Sequence, residues 1–572
     1  MTFPSRAHVL LWSALSGILW TLAWPGTGGL HVLAFVAWLP MLHAEQLHDA
    51  RSRGHGRAFA PYAMLGLFLW NASTTWWLGA VQEPWSTRLL SGGFPMVGNT
   101  LLMALPWVVR RFVKLSLGVH SGDLAFLASW LAFERLHHDW DLQWPWLTLG
   151  NVFAEHPSWV QWYEITGVLG GSLWVLGVNL LAFRVLWRCR SSSDQRPRKS
   201  AIAALLLVLI LPLGSSLVRH YTFAERGIPF EVVVVQPNID PYHEKFGGVD
   251  ALEQLDRMLV QAQAVMSDST RLIVLPETAL QENATVSGAA GGVLRLHGLW
   301  ENDLEASRSV QRIRAFLADK PKVSLLAGMS SAYLFPPGAS LTPTARRLGG
   351  TDRYYEAYNA ALMVQADRPV DVYHKSKLVA GVEKLPFEGL LGSLDYLSID
   401  MGGTTGSLGV QQERSVMRTA DEGIAVAPVI CYESVFGDHV APHVQNGASL
   451  IAIMTNDGWW GQSPGYRQHL AYGRLRAIEN RRDIARSANT GISCFIDQLG
   501  GVHQATHWWE PSAIKRTVRC ADQLTFYTLY GDLVGRASLV VLSVLLVLVL
   551  ARRLWWLKRQ RDASAAPLPG RE

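Results

Sequence analysis

The 572-residue chain is 49% hydrophobic and only 17% charged, where an ordinary soluble domain carries about 25% charged residues. These proportions exclude a disordered chain, a collagen and a small disulfide scaffold. The formal charge of +5 comes from short basic clusters beside apolar runs, so membrane topology explains it better than a nucleic-acid partner.

Residues 1–220 hold 17 of the 24 tryptophans but only 16 Lys and Arg and 10 Asp and Glu. A helix needs about 20 mostly apolar residues to cross a bilayer. Seven candidate spans fall in this part, at residues 7–24, 29–44, 60–80, 93–109, 122–138, 162–187 and 201–218. An eighth covers 537–551 with its flanks. No small-residue cleavage site separates the first span from the second, so it reads as a retained span. Within the fifth, Glu134 and Arg135 read as a mutual ion pair.

Basic residues set the orientation. Arg51, Arg53 and Arg57 follow the second span, and Arg110, Arg111 and Lys114 the fourth. Arg188, Arg190, Arg196, Arg198 and Lys199 lie between the sixth and seventh, and Arg552, Arg553, Lys558, Arg559 and Arg561 follow the eighth. With the N-terminus inside, all four clusters are cytoplasmic. The expected organisation is a seven-helix membrane domain (1–218), an extracytoplasmic domain (219–533), an eighth helix (534–557) and a basic cytoplasmic tail (558–572). No span shows a repeated small-residue dimer face, which points to a monomer.

The polar domain alternates short apolar runs with helical stretches, the pattern of an α/β layered fold. Expected strands open at residues 229–240 and recur at 272–275, 323–327, 360–364, 424–430, 450–454 and 492–496, with helices at 252–267 and 466–483 and an extended segment at 369–378. Residues 281–320, 336–350 and 384–410 read as insertions over the core. Their Val293, Leu294, Leu299, Trp300, Leu390 and Leu391 are equally compatible with contact to a bilayer and with ordinary loop packing.

Glu277, Lys375 and Cys431 stand at or near the ends of apolar or extended segments, where open α/β sheets build their sites. A thiolate that attacks a carbonyl, a carboxylate that takes its proton and an ammonium that faces the oxyanion make a covalent apparatus. Singly, each residue is bland: a core cysteine, a turn glutamate, a solvated lysine. The pairs His137/His138 and His503/His507 lack acidic or thiol partners at ligand spacing, so no metal is assigned, and no phosphate loop or other cofactor motif is present. On the outer side, Cys494 and Cys520 are either a disulfide or two free thiols, and Cys189 is a reduced cytoplasmic thiol.

The run Leu275-Pro276-Glu277, then Lys375, then Cys431-Tyr432-Glu433 resembles the pattern of the carbon–nitrogen hydrolase (nitrilase) superfamily. With spans on both sides, the chain is similar to the membrane-bound branch of that superfamily, the apolipoprotein N-acyltransferases. Val235-Gln236-Pro237-Asn238-Ile239, Tyr358-Asn359-Ala360, residues 455–461 (TNDGWWG), 476–479 (RAIE) and 486–493 (RSANTGIS) match its motifs, and Trp144-Pro145-Trp146-Leu147 matches F-P-W-L in the membrane half.

The resemblance implies a nitrilase-like αββα sandwich on a polytopic α-helical membrane domain of about eight spans. It makes Glu277 the general base, Lys375 the oxyanion partner and Cys431 the nucleophile, supported by Glu383, Tyr432 and Glu433. Phe246 stands where the family often has Trp, and Trp146, Trp459 and Trp460 join it as candidate lipid contacts. The implied reaction takes an acyl chain from a phospholipid, phosphatidylethanolamine, through a Cys431 thioester to the α-amino group of a diacylglyceryl apolipoprotein cysteine, at the periplasmic face of a bacterial inner membrane. A membrane-tethered amidase or nitrilase acting on a small molecule is the alternative.

Overall fold

The computed structural model describes residues 5–52, 58–191, 199–246, 248–287, 293–348, 351–384, 386–387, 407–421 and 423–565, without the side chains of 187–191, 283–297 and 563–565. Leu390, Leu391, Arg53, Arg57, Arg196 and Arg198 therefore lie outside the described residues, as do the side chains of Val293, Leu294, Arg188, Cys189 and Arg190.

The N-terminal part is helical. Among the described residues four helices are long and apolar enough to cross a membrane: Trp85–Leu117, Val168–Leu186, Lys199–Thr222 and Leu533–Asp562. Arg6–Ala23, Ala60–Thr75 and Val119–Leu136 are helical as well. The expected span at 29–44 is instead broken. A 3-10 turn, His31–Phe35, precedes a helix that starts at Leu39 with Pro40 in its first turn, where a missing N–H costs nothing. Asn179 satisfies the break by donating to the Ala34 carbonyl (2.8 Å) and accepting from the Trp38 amide (2.9 Å).

The expected Glu134–Arg135 pair is also absent. Arg135 pairs with Asp438 (2.8 Å) and Asp139 (3.1 Å), whereas buried Glu134 accepts from Trp130 Nε1 (2.9 Å) and the Leu149 amide (2.7 Å). Adjacent helical residues face different sides, so the two cannot share one environment. Arg110, Arg111 and Lys114 are not free basic residues either, since they pair with Glu45, Asp49 and Asp123.

The polar part is an α/β sandwich. One sheet runs Ser512–Cys520, Ile228–Gln236, Thr270–Val274, Ser324–Leu334, Tyr354–Val364, with Asp371–His374 beyond the last strand. Its first-to-third neighbours by chain order, Ile228–Gln236, Thr270–Val274 and Ser324–Leu334, are parallel. In the second sheet Ala425–Ile430, Leu450–Thr455 and Ile484–Ala488 are parallel. Val232, Val234, Leu272, Val274, Val426, Leu450 and Ala452 form one core between the sheets. Helices Ala251–Val265 and Arg308–Leu317 cover the first sheet, and Gly437–Gln445 and Pro464–Asn480 flank the second. This is the expected αββα layering.

One expectation needs correction, and one open alternative is decided. Residues 281–320 are not wholly an insertion, because Val310, Ile313 and Leu317 bury one face of the Arg308–Leu317 helix in the core, and Leu299 is buried beside the Ser324–Leu334 strand. Cys494 and Cys520 are both free and buried. They sit in different layers, Cys494 on the outer face of the second sheet and Cys520 between the sheets, so no bridge can form.

Candidate active site

Glu277, Lys375 and Cys431 each follow a strand, and the sandwich brings their ends together. Leu275-Pro276-Glu277 leaves the Thr270–Val274 strand and is pinned by the Gly328 amide, which donates to the Pro276 carbonyl (3.1 Å). A Cβ on Gly328 would stand 2.6 Å from the Glu277 Cα, so glycine is what allows this loop to lie on the neighbouring strand. Lys375 directly follows Asp371–His374, and its amide donates to the Asn359 carbonyl (2.8 Å). Cys431 ends Ala425–Ile430 with φ +49°, a left-handed turn that costs a non-glycine residue about 1 kcal/mol and is held by its surroundings.

The charged atoms converge. Lys375 Nζ donates to Glu277 Oε1 (3.0 Å) and Glu383 Oε1 (2.8 Å), and the Asn359 side-chain amide donates to the same two oxygens (2.9 Å each). Glu383 Oε2 accepts the Val379 amide (2.8 Å), which fixes its loop. Burial opposes charge on Lys375, but Glu277 and Glu383 outweigh it and hold the ammonium well above its usual range. Burial pushes the Cys431 thiol up, Glu277 adds to this, and Lys375 only partly offsets it. The resting group is therefore a thiol, and attack needs a base beside it.

Glu433 ties the two loops together. Its Oε1 accepts from the Ser376 amide (2.7 Å) and the Tyr373 hydroxyl (2.8 Å), and its Oε2 accepts from the Ile430 amide (2.8 Å). Burial alone would raise this carboxyl, yet His439 and these donors hold it at about 2. A group held at about 2 against an ordinary 4.5 contributes stability that is complete above about pH 4.5 and is lost as pH falls toward 2, about 3 kcal/mol in all. Glu433→Gln should therefore lower stability by about that amount at neutral pH and converge with the unmodified protein only below about pH 2. Thermal unfolding in detergent across this range measures it, and parallel pH curves for the two proteins would refute the assignment.

Sequence reasoning did not single out roles for several neighbours. Asn359 bridges both glutamates. The Thr455 hydroxyl reaches Cys431 Sγ (3.3 Å) and Asp457 Oδ1 (2.9 Å). His469 spans Asp457 Oδ1 (2.9 Å) and the Cys431 carbonyl (3.0 Å), while Arg486 pairs with Asp457 (2.7 Å). Asn359, Thr455, Asp457 and Arg486 all fall in the matched motifs, which was the available signal for them.

Both loops also fasten to the helical part. Lys377 Nζ donates to the His138 carbonyl (2.7 Å), and the Tyr432 hydroxyl donates to the Gln143 carbonyl (2.7 Å). Trp146 is buried rather than exposed at a rim: it stacks on Trp144 and Tyr432, and its Nε1 donates to Gln468 (2.7 Å). Phe246 stacks on Trp459 (5.9 Å between centroids), and Trp460 meets Trp77 edge-on (4.6 Å). These converging side chains thus lie against a tryptophan-rich, apolar junction between the two parts of the molecule.

A buried thiol, a carboxylate and a fixed ammonium on an αββα sandwich define a thiol-dependent enzyme acting on carbonyl carbon. Residues 232–522 match the carbon-nitrogen hydrolase model, and residues 16–181 match the apolipoprotein N-acyltransferase N-terminal domain. The chain is 30% identical to the apolipoprotein N-acyltransferase of Chlorobaculum tepidum, over 94% of this chain and 96% of that one. It is 26% identical to that of Geobacter metallireducens, over 96% of each. Among solved structures, an amidase from Nesterenkonia sp. is 14% identical with a TM-score of 0.33, over 52% of this chain and 93% of that one. The chain belongs to the apolipoprotein N-acyltransferase family. It is an acyltransferase built on a carbon–nitrogen hydrolase domain.

Proposed function

We propose that this protein moves a fatty acyl chain from a membrane phospholipid, phosphatidylethanolamine, to the N-terminal α-amino group of a diacylglyceryl cysteine on an apolipoprotein. Cys431 attacks the ester carbonyl as Glu277 takes its proton. Lys375 faces the developing oxyanion, and the proton on Glu277 passes to the departing lysophospholipid alkoxide. The thioester then waits for the amine. Glu383 and Asn359 hold Lys375 and Glu277 in register, Glu433 and Tyr432 hold the Cys431 loop, and Phe246, Trp459 and Trp460 belong to the lipid-contacting side, with the buried Trp146 packed behind them.

The observation that carries this reading is the burial of the triad at the junction with the helical part. A thioester survives long enough for transfer only where water is scarce. A site that opens toward hydrocarbon also receives both lipid substrates with their tails still in the membrane.

The same reading takes eight membrane-crossing segments, with residues 1–218, 219–533, 534–557 and 558–572 as its divisions and the catalytic domain on the periplasmic side of a bacterial inner membrane. It is supported by the apolar, mostly exposed helices Lys199–Thr222 and Leu533–Asp562 that flank the catalytic domain, and by the basic residues from Arg552 onward at the far end of the second. The enzyme works as a monomer.

Purified protein in detergent, supplied with phosphatidylethanolamine and a diacylated lipopeptide, should give the triacylated product by mass spectrometry. Release of free fatty acid without lipopeptide acylation would instead make the protein a hydrolase and refute the transfer.

A further inference from the structure

The site holds a second buried lysine that the steps above do not use. Lys245 is 3% exposed, and its Nζ donates to the main-chain carbonyl of Glu277 (2.9 Å). Its own backbone is fixed, the amide donating to the Asp240 carbonyl (2.9 Å) and the carbonyl accepting from the Gln254 side chain (3.0 Å). Among the described residues no carboxylate oxygen lies within ion-pair distance of this amine. The neighbouring Glu244 turns its carboxylate to the Asp240 amide (3.0 Å), and the Phe246 ring centre is 5.9 Å from Nζ.

The two lysines live in opposite environments. Lys375 sits between two carboxylates and keeps its proton. Lys245 is desolvated with only the more distant charge of Glu277 to favour its ammonium form while Cys431 rests as a thiol, and burial wins, pulling it down to about 7.

Proton bookkeeping identifies a step without an acceptor. In the first half-reaction the S–C bond forms and the ester C–O bond breaks. The Cys431 proton travels through Glu277 to the alkoxide, and nothing is left over. In the second, the N–C bond forms and the C–S bond breaks. One proton leaves nitrogen as the amide forms and returns through Glu277 to the Cys431 sulfur. However, an α-amino group with an ordinary pKa of about 8 arrives largely as ammonium and must shed a further proton before its lone pair can attack. Glu277 is already engaged, and Lys375 is permanently charged.

We propose that Lys245, as the neutral amine, accepts this extra proton from the incoming α-ammonium and later releases it to solvent, which makes it a proton-carrying residue of the transfer half-reaction alone. The proposal rests on the N-acyl transfer proposed above.

The test separates the halves. Lysophospholipid release and the mass of acylated enzyme report the first, and transfer from preloaded thioester enzyme to a diacylated lipopeptide, between about pH 6 and 9.5, reports the second. Lys245→Met and Lys245→Arg should both slow transfer at pH 7 by about tenfold, the share of acceptor that is not already free amine, while slowing lysophospholipid release by no more than about threefold. Their transfer rates should then climb roughly tenfold per pH unit until the free amine predominates, closing the gap. Arginine keeps the charge and the hydrogen bond but cannot give up its proton, so it distinguishes proton transfer from support. Equal losses in both halves, or rescue of transfer by Lys245→Arg, would show that Lys245 only props the Glu277 loop and would overturn the proposal. An unmodified protein that yields no acylated lipopeptide overturns the acyl-transfer reading itself, and that failure is visible before any variant is made.

Discussion

Cys431→Ala is expected to abolish thioester formation and acyl transfer together, by at least about 10⁴-fold, because loss of a covalent nucleophile removes both half-reactions. The more exacting variant is Cys431→Ser. It preserves the turn at φ +49° and nearly the same volume, so folding should change little. A hydroxyl is nonetheless a far weaker acid than a thiol, and this pocket already disfavours the thiolate through burial and the Glu277 charge. Glu277 should fail to ionise serine at a useful rate, leaving Cys431→Ser close to Cys431→Ala. Cys494 and Cys520 provide the control. Both are buried thiols pushed up to about 12 by desolvation, and among their charged neighbours neither has a Glu277–Lys375 arrangement. A Cys494→Ala, Cys520→Ala double variant should therefore retain transfer. Intact-mass analysis after incubation with phospholipid reads the acyl adduct directly. An adduct that persists in Cys431→Ala would place the nucleophile elsewhere.

The site was legible to the extent that its residues terminate apolar runs. Ala425–Ile430 is fully buried and ends at Cys431, so the strand itself points to its end as the candidate nucleophile position. Strands whose polar residues find partners inside the protein were not legible. Ile484–Ala488 is buried throughout although it contains Arg486 and Ser487, because Asp457 accepts from the first and the Val235 carbonyl (2.7 Å) accepts from the second. Ser512–Cys520 is not among the expected strands, yet it pairs along its length with Ile228–Gln236 as an antiparallel edge. The break at His31–Phe35 depends on Asn179, far away in sequence, and no local window contains that information. Lys245 illustrates the same limit at the site. One basic residue in a polar segment has the composition of a surface charge, and only the fold reveals that its amine is buried against Glu277.

Lys375→Met should lower transfer by about 10³-fold, the loss typical of removing a donor aimed at an oxyanion, about 4 kcal/mol of transition-state stabilisation. It should also destabilise the fold. Glu277 and Glu383 both direct Oε1 at Lys375 Nζ, and without the ammonium two buried carboxylates share one small volume. Removing one member of such a buried set typically costs about 3–5 kcal/mol, and one carboxyl is expected to take up a proton in response. Loss of activity in Lys375→Met alone could thus reflect either cause. The double variant Lys375→Met, Glu383→Gln resolves them. Glutamine removes the uncompensated charge, and its single carbonyl oxygen can keep the hydrogen bond that Glu383 accepts from the Val379 amide. Stability should return toward that of the unmodified protein, while transfer should stay down by about 10³-fold because no cation faces the oxyanion. Melting temperature and initial transfer rate, measured on the same preparations, separate the two quantities. Recovery of activity along with stability would show that Lys375 serves only to neutralise its glutamates, and the oxyanion role would pass to another donor.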